Sequence, residues 1–147
     1  MTEIAPAETP IGACGDTWEL TVERGKIGEF AAAMQSDNPA YCGPGAIIPP
    51  TFLTTAARWA PEGVRVSVGF DRKLLLHGEQ EYTFFGPLPR VGDVLTAQER
   101  VEDRFSKPGK RGGEMRFAVI VTDFRTPQGE LIAQAKATFI ETARKSS

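Results

Sequence analysis

Ser36-Asp37-Asn38-Pro39-Ala40-Tyr41 gathers a hydroxyl, a carboxylate, an amide and a phenol into one short stretch. Asp37 is the group there able to take a proton at neutral pH. Ser36 is a poor base without an activating partner, and the phenol of Tyr41 is suited to donating a hydrogen bond. The plainer reading of Asp37 is a turn residue, because Asp-Asn-Pro favours turns. Tyr41 reads equally as a packing residue at a subunit interface. His77, the one histidine, lies in an alternating stretch beside Glu79 and Glu81, where a structural or surface role competes with an acid–base one. A basic cluster, Arg100, Arg104, Lys107, Lys110 and Arg111, flanks a glycine-containing tip at 106–113. Such a tip is usually just solvated; the functional alternative for Arg104, Lys107, Lys110 and Arg111 is contact with a phosphate, which suits guanidinium and ammonium groups.

Composition narrows the classes. A chain of 147 residues, 41% hydrophobic and 24% charged, is long enough for one domain with a buried core. A net charge of −2 supplies no field to attract nucleic acid. No run approaches the ~18 apolar residues of a membrane span. The stretch 1–10 is acidic and contains proline, unlike a secretory signal, so a cytoplasmic location is expected. There Cys14 and Cys42 are expected as free thiols. With His77 they show no metal-ligand spacing, and no phosphate-binding glycine loop is present; neither metal nor cofactor is expected.

The elements that must position these groups follow from periodicity. Residues 17–22 alternate as a strand, and Ile27, Phe30, Ala31 and Met34 recur at helical spacing, predicting a helix over 24–35. Residues 37–48 form a loop. Pro50 opens a second helix over 51–60, apolar nearly all round and therefore buried, which Pro61 ends. After a connector at 62–73, strands are predicted at 74–85, 94–102, 115–124 and 130–142, the third central because it is apolar on both faces. This order predicts an α+β domain over 16–142, a four-strand meander wrapped around one buried helix, with flexible segments at 1–15 and 143–147.

Several segments together resemble one family. Ser36 to Tyr41 stands where the (R)-specific enoyl-CoA hydratases and 3-hydroxyacyl dehydratases of the MaoC-like, hot-dog-fold group carry Asp-x-Asn-Pro-x-His. Glu29-Phe30-Ala31 before it, Ile47-Ile48-Pro49-Pro50-Thr51-Phe52-Leu53, His77-Gly78-Glu79-Gln80-Glu81-Tyr82, Gly86-Pro87-Leu88 and Val91-Gly92-Asp93 resemble further stretches of the N-terminal-type domain in the same order. The strongest likeness is to the non-catalytic subunits of actinobacterial heterodimeric (3R)-hydroxyacyl-ACP dehydratases.

The resemblance implies a single hot-dog fold and a chemistry that this chain has partly lost. Hydrating a 2-enoyl thioester requires a base for water, an acid for the α-carbon and a donor for the developing enolate. Ser36 and Tyr41 occupy the places of the family's Asp and His. The glycine whose N–H serves as oxyanion donor aligns with Pro50, which has no N–H. The expectation is therefore a substrate-binding subunit that pairs edge to edge with a catalytic MaoC-like partner. Pro50, Thr51, Phe52 and Thr55 would line an acyl tunnel for an acyl-CoA or acyl-carrier-protein thioester. A self-sufficient homodimeric hydratase or thioesterase using Asp37, and an acyl-CoA-binding protein without turnover, remain alternatives.

Overall fold

The computed structural model describes residues 6–143. Its strands are β1 (Cys14–Thr21), β2 (Leu75–Phe84), β3 (Val94–Pro108), β4 (Glu114–Arg125) and β5 (Leu131–Glu141), with one α-helix, α1 (Arg24–Ala33), and a central 3-10 helix (Phe52–Trp59). The strands form one antiparallel sheet in the order β1-β3-β4-β5-β2. A twisted sheet curled around a short central helix is the hot-dog arrangement.

One register row explains the curl. Trp18, Ala97, Phe124, Ala133 and Phe84 face one another across all five strands, large side chains alternating with methyl groups. Neighbouring large residues thus interdigitate rather than collide. This face buries Trp18, Leu20, Leu95, Ala97, Phe124 and Ala133 against Ile27 of α1 and against Phe52, Leu53 and Ala56 of the central helix. Phe30 meets Phe52 edge to face, ring centres 5.6 Å apart.

Three expectations change. Only β3, β4 and β5 run as a meander; β2 crosses to the far edge beside β5, where Tyr82 and Phe84 pack on the core. Alternation identifies a strand but not its partner. β3 continues past 102 because a bulge between Val101 and Asp103 shifts the inward face by one residue, which breaks the alternation in sequence. The second helix winds as a 3-10 helix and buries only one side: Thr54, Arg58 and Trp59 are exposed. Pro49-Pro50 and Pro61 confine it, and the Thr55 hydroxyl donates to the Phe52 carbonyl at 2.8 Å, three residues back.

The segment set outside the domain at 1–15 joins it within the described residues. Thr9 N–H donates to Ser67 O and Gly12 N–H to Val101 O, and β1 starts at Cys14. Of the segment at 143–147, only Ala143 is among the described residues. Among these residues no helix is long and apolar enough to cross a membrane.

Helix α1 ends in a Schellman motif: Ser36 N–H donates to Ala31 O and Gln35 N–H to Ala32 O. Gln35 there has φ 56°, the left-handed region where a β-carbon is penalised. Gln35→Gly is expected to stabilise the fold by about 0.5–1 kcal/mol, the strain relieved less the added unfolded-state entropy. The midpoint of denaturant unfolding measures it.

Candidate functional site

The loop after α1 is a structural turn. Ser36 Oγ accepts from Asn38 N–H at 3.3 Å, and Asn38 Oδ1 accepts from Ala40 N–H at 3.0 Å, capping the 3-10 turn Pro39–Tyr41. The Asn-Pro pair thus works as a start signal for that turn. Tyr41 is half-buried against the core, and Asp37 is exposed. Ser36 uses its hydroxyl in the turn, and Tyr41 packs its ring on the core.

A cavity lies away from this loop, between the central helix and the concave face of β2–β5. Geometry explains why there is room. Eight residues of 3-10 helix extend only about 16 Å, whereas the twelve of β4 extend about 40 Å. Even laid along the strands, the helix would cover less than half of them. The uncovered part holds a cavity of 230 Å³. Trp18, Leu53, Ile120, Phe124 and Phe139 form apolar walls; Ala56, Ala57, Ala135 and Ala137 make space by being small.

Of the acid–base candidates, His77 alone lines this cavity, its ring tilted against Phe139 with centres 5.0 Å apart; Asp37 and Tyr41 do not. The tunnel residues also change. Pro50 and Thr51 are exposed, Phe52 is buried in the core, and Thr55 is tied to Phe52 O, so none lines the cavity. Leu53, Thr54, Ala56 and Ala57 do. With three residues per turn, 53 stacks over 56 and 54 over 57, and these two rows face the cavity. Pro50 offers no N–H at the helix start, and the Phe52 N–H donates to Pro49 O at 3.0 Å.

Arg65 and Glu99 line the cavity, which pattern reading missed. Glu99 occupies a concave-face position of β3, between buried Ala97 and Val101, and is only 4% exposed. Arg65 donates to its carboxylate from Nε at 3.2 Å and Nη2 at 3.0 Å, and Val66 N–H donates at 3.1 Å. The 64–66 segment reaches Glu99 by running against Gly15, where any β-carbon would fall on the Val64 carbonyl oxygen, 2.1 Å away. The available signal was a charged residue in an otherwise apolar alternation.

The phosphate candidates divide. Arg104 donates to the carbonyls of Thr9, Ser67 and Val68 at 2.8–3.0 Å, so its guanidinium is committed internally and leaves the set. Lys107 sits over the stacked rings of Phe105 and Phe117, 5.5 Å and 5.4 Å from their centres, and is exposed with Lys110 and Arg111. Arg116, nearby, has its pKa raised by hydrogen bonds to Glu141 and, less strongly, to Glu8. Cys14 and Cys42 are exposed free thiols.

The model of the FAS1-like, dehydratase domain region matches residues 10–135, from the strap before β1 into β5. The chain belongs to that family. A UPF0336 protein of Streptomyces griseus is 31% identical to this FAS1-like dehydratase-region chain over 137 residues, 86% of this chain and 87% of the relative. In fold, the chain is similar to a chain of the Mycobacterium tuberculosis HadBC (3R-hydroxyacyl-ACP dehydratase) complex. The TM-score is 0.69 at 24% identity, over 91% of this chain and 99% of that one. A chain of the ChsH1-ChsH2 complex from the same organism matches with TM-score 0.69 at 17% identity, over 91% and 86%. These likenesses confirm the MaoC-like hot-dog fold.

In this FAS1-like member the fold is kept, and the Ser36 hydroxyl serves the turn after α1. The Arg65–Glu99 pair anchors the segment beside the cavity. Arg65→Ala is expected to destabilise by about 1–3 kcal/mol, less than for a fully buried pair because Arg65 is half exposed. Thermal unfolding of Arg65→Ala beside Arg65→Lys reads this, the lysine variant recovering only part of the loss.

Proposed function

We propose that this chain is the non-catalytic, acyl-binding subunit of a two-subunit dehydratase or hydratase acting on acyl-CoA or acyl-carrier-protein thioesters. One observation carries the reading: the cavity and the emptied motif are separate. The cavity is shaped to hold a chain, with apolar walls and alanine-made space. The loop that would carry a water-activating pair instead spends Ser36 and Tyr41 on its own turn and on the core.

The partner supplies the missing chemistry. β2 is an edge strand, largely exposed, with Leu76 at 53% exposure on it. A long unpaired edge invites another strand, so pairing through β2 with a catalytic MaoC-like subunit would close it. The fold likeness to chains of HadBC and ChsH1-ChsH2, both described as complexes, supports a two-chain assembly. Such an arrangement divides labour: the partner holds base, acid and oxyanion donor, and this chain lengthens the acyl site.

The test is reconstitution. The chain alone is expected to hydrate enoyl-CoA no faster than buffer. Mixed with a partner carrying an intact Asp-x-Asn-Pro-x-His, it is expected to raise activity on long enoyl-CoA by about a hundredfold over the partner alone, a few kcal/mol of binding energy realised in the transition state. Activity of the purified chain alone that disappears in Asp37→Asn or His77→Ala would overturn the reading. A narrower outcome concerns the cavity: Ala137→Phe should weaken long-chain acyl-CoA binding at least about tenfold while sparing short-chain binding, as calorimetry would measure.

A further inference from the structure

The concave face of the sheet changes character within one register row. The row Ala97–Phe124–Ala133–Phe84 is apolar. The next inward row is Glu99–Thr122–Ala135–Tyr82, and beyond it Gln80 and His77 face the same space from β2. An acyl site built for a plain saturated chain has no use for this change, since each polar group covered without a partner costs free energy.

The polar groups are not consumed by the protein. Among the described residues the Thr122 hydroxyl has no hydrogen-bond partner, and Gln80 uses only its Nε2, donating to Lys136 O at 3.3 Å. Arg65 binds Glu99 through Nε and Nη2, which leaves Nη1 as a donor at the cavity margin. Gln80 and Arg65 are exposed residues, and the half-buried Thr122 has no buried, unsatisfied side-chain atom, so water reaches all three in the open cavity. A saturated chain would displace that water without replacing its bonds; a hydroxyl or keto oxygen would replace them. The volume limits what enters. At 230 Å³ the cavity is smaller than the ~300–1,000 Å³ that enclose a drug-sized ligand, so it holds part of the acyl group and not the carrier.

We infer that this cavity selects acyl groups bearing a polar oxygen substituent on the chain itself, away from the thioester end, over saturated chains of equal length. Thr122, Gln80 and Arg65 are the specificity-determining residues. The inference rests on the acyl-binding role proposed above.

Calorimetry on the full chain tests it, comparing decanoyl-CoA with hydroxydecanoyl-CoA isomers carrying the hydroxyl mid-chain or at the terminus, and with a mid-chain keto analogue. At least one oxygenated ligand is expected to bind about tenfold tighter than decanoyl-CoA, roughly one well-made hydrogen bond. The double variant Thr122→Val, Gln80→Leu is expected to reverse the order, with decanoyl-CoA gaining and the oxygenated ligand losing affinity. Decanoyl-CoA binding as tightly as every oxygenated ligand would overturn the selectivity and leave the acyl-binding role standing. Failure of all these ligands to bind would overturn both. If the double variant does not fold, the ranking on the native chain decides alone.

Discussion

The sheet is longer than the helix laid against it, and the rest of the molecule is organised around that mismatch. The 3-10 helix is held at one end of the concave face by the Trp18 indole, whose N–H donates to the Ala56 carbonyl at 3.1 Å in a buried setting. Eight residues of 3-10 backbone are uncommon on their own account, because the hydrogen-bond geometry is poor. Here the prolines on either side and the Trp18 contact maintain it. At that end packing is complete, with Phe124, Leu95, Ile27 and Leu53 almost without solvent contact. Towards the other end the helix does not reach over β4 and β5, and the cavity follows.

The same constraint accounts for where charge is tolerated. A carboxylate on the concave face of a central strand is costly unless its lone pairs are filled. Glu99 is acceptable because the 62–73 connector passes over the uncovered end and delivers Arg65 and the Val66 N–H to it. Gly15 permits that passage by leaving room for the Val64 carbonyl. The connector thus acts as a partial lid that brings a cation with it. On the same connector, Phe70 packs against the guanidinium groups of Arg104 and Arg116, and the strap around Thr9 is fastened by Arg104. Arginines that resemble a phosphate site in sequence are here partly clamps on backbone carbonyls.

Much of the fold was legible from periodicity. β1, α1, β2, β4 and β5 lie within a few residues of their predicted spans. The turn after α1 was legible too, since Asn-Pro has few ways to fold and Asn38 caps it as its chemistry suggests. The misreadings have local causes. A bulge at Val101–Asp103 interrupted an alternation that in space continues, and the central helix turns 53, 54, 56 and 57 to the cavity in place of 52 and 55. Resemblance supplied a catalytic frame whose residues the turn had already engaged.

By itself, the amino-acid sequence determined the element types, the single curled sheet around a helix, and the turn that Asn38-Pro39 begins after α1. Those depend on short-range chemistry: alternation, helical spacing, proline's missing N–H and the identity of a side chain. Only the tertiary structure decided which strand lies beside which, that the helix is too short for its sheet, and that Arg65 and Glu99 meet 34 residues apart in sequence. Strand pairing and cavity shape are set by contacts between distant segments. Local patterns constrain each segment without stating which other segment will cover it.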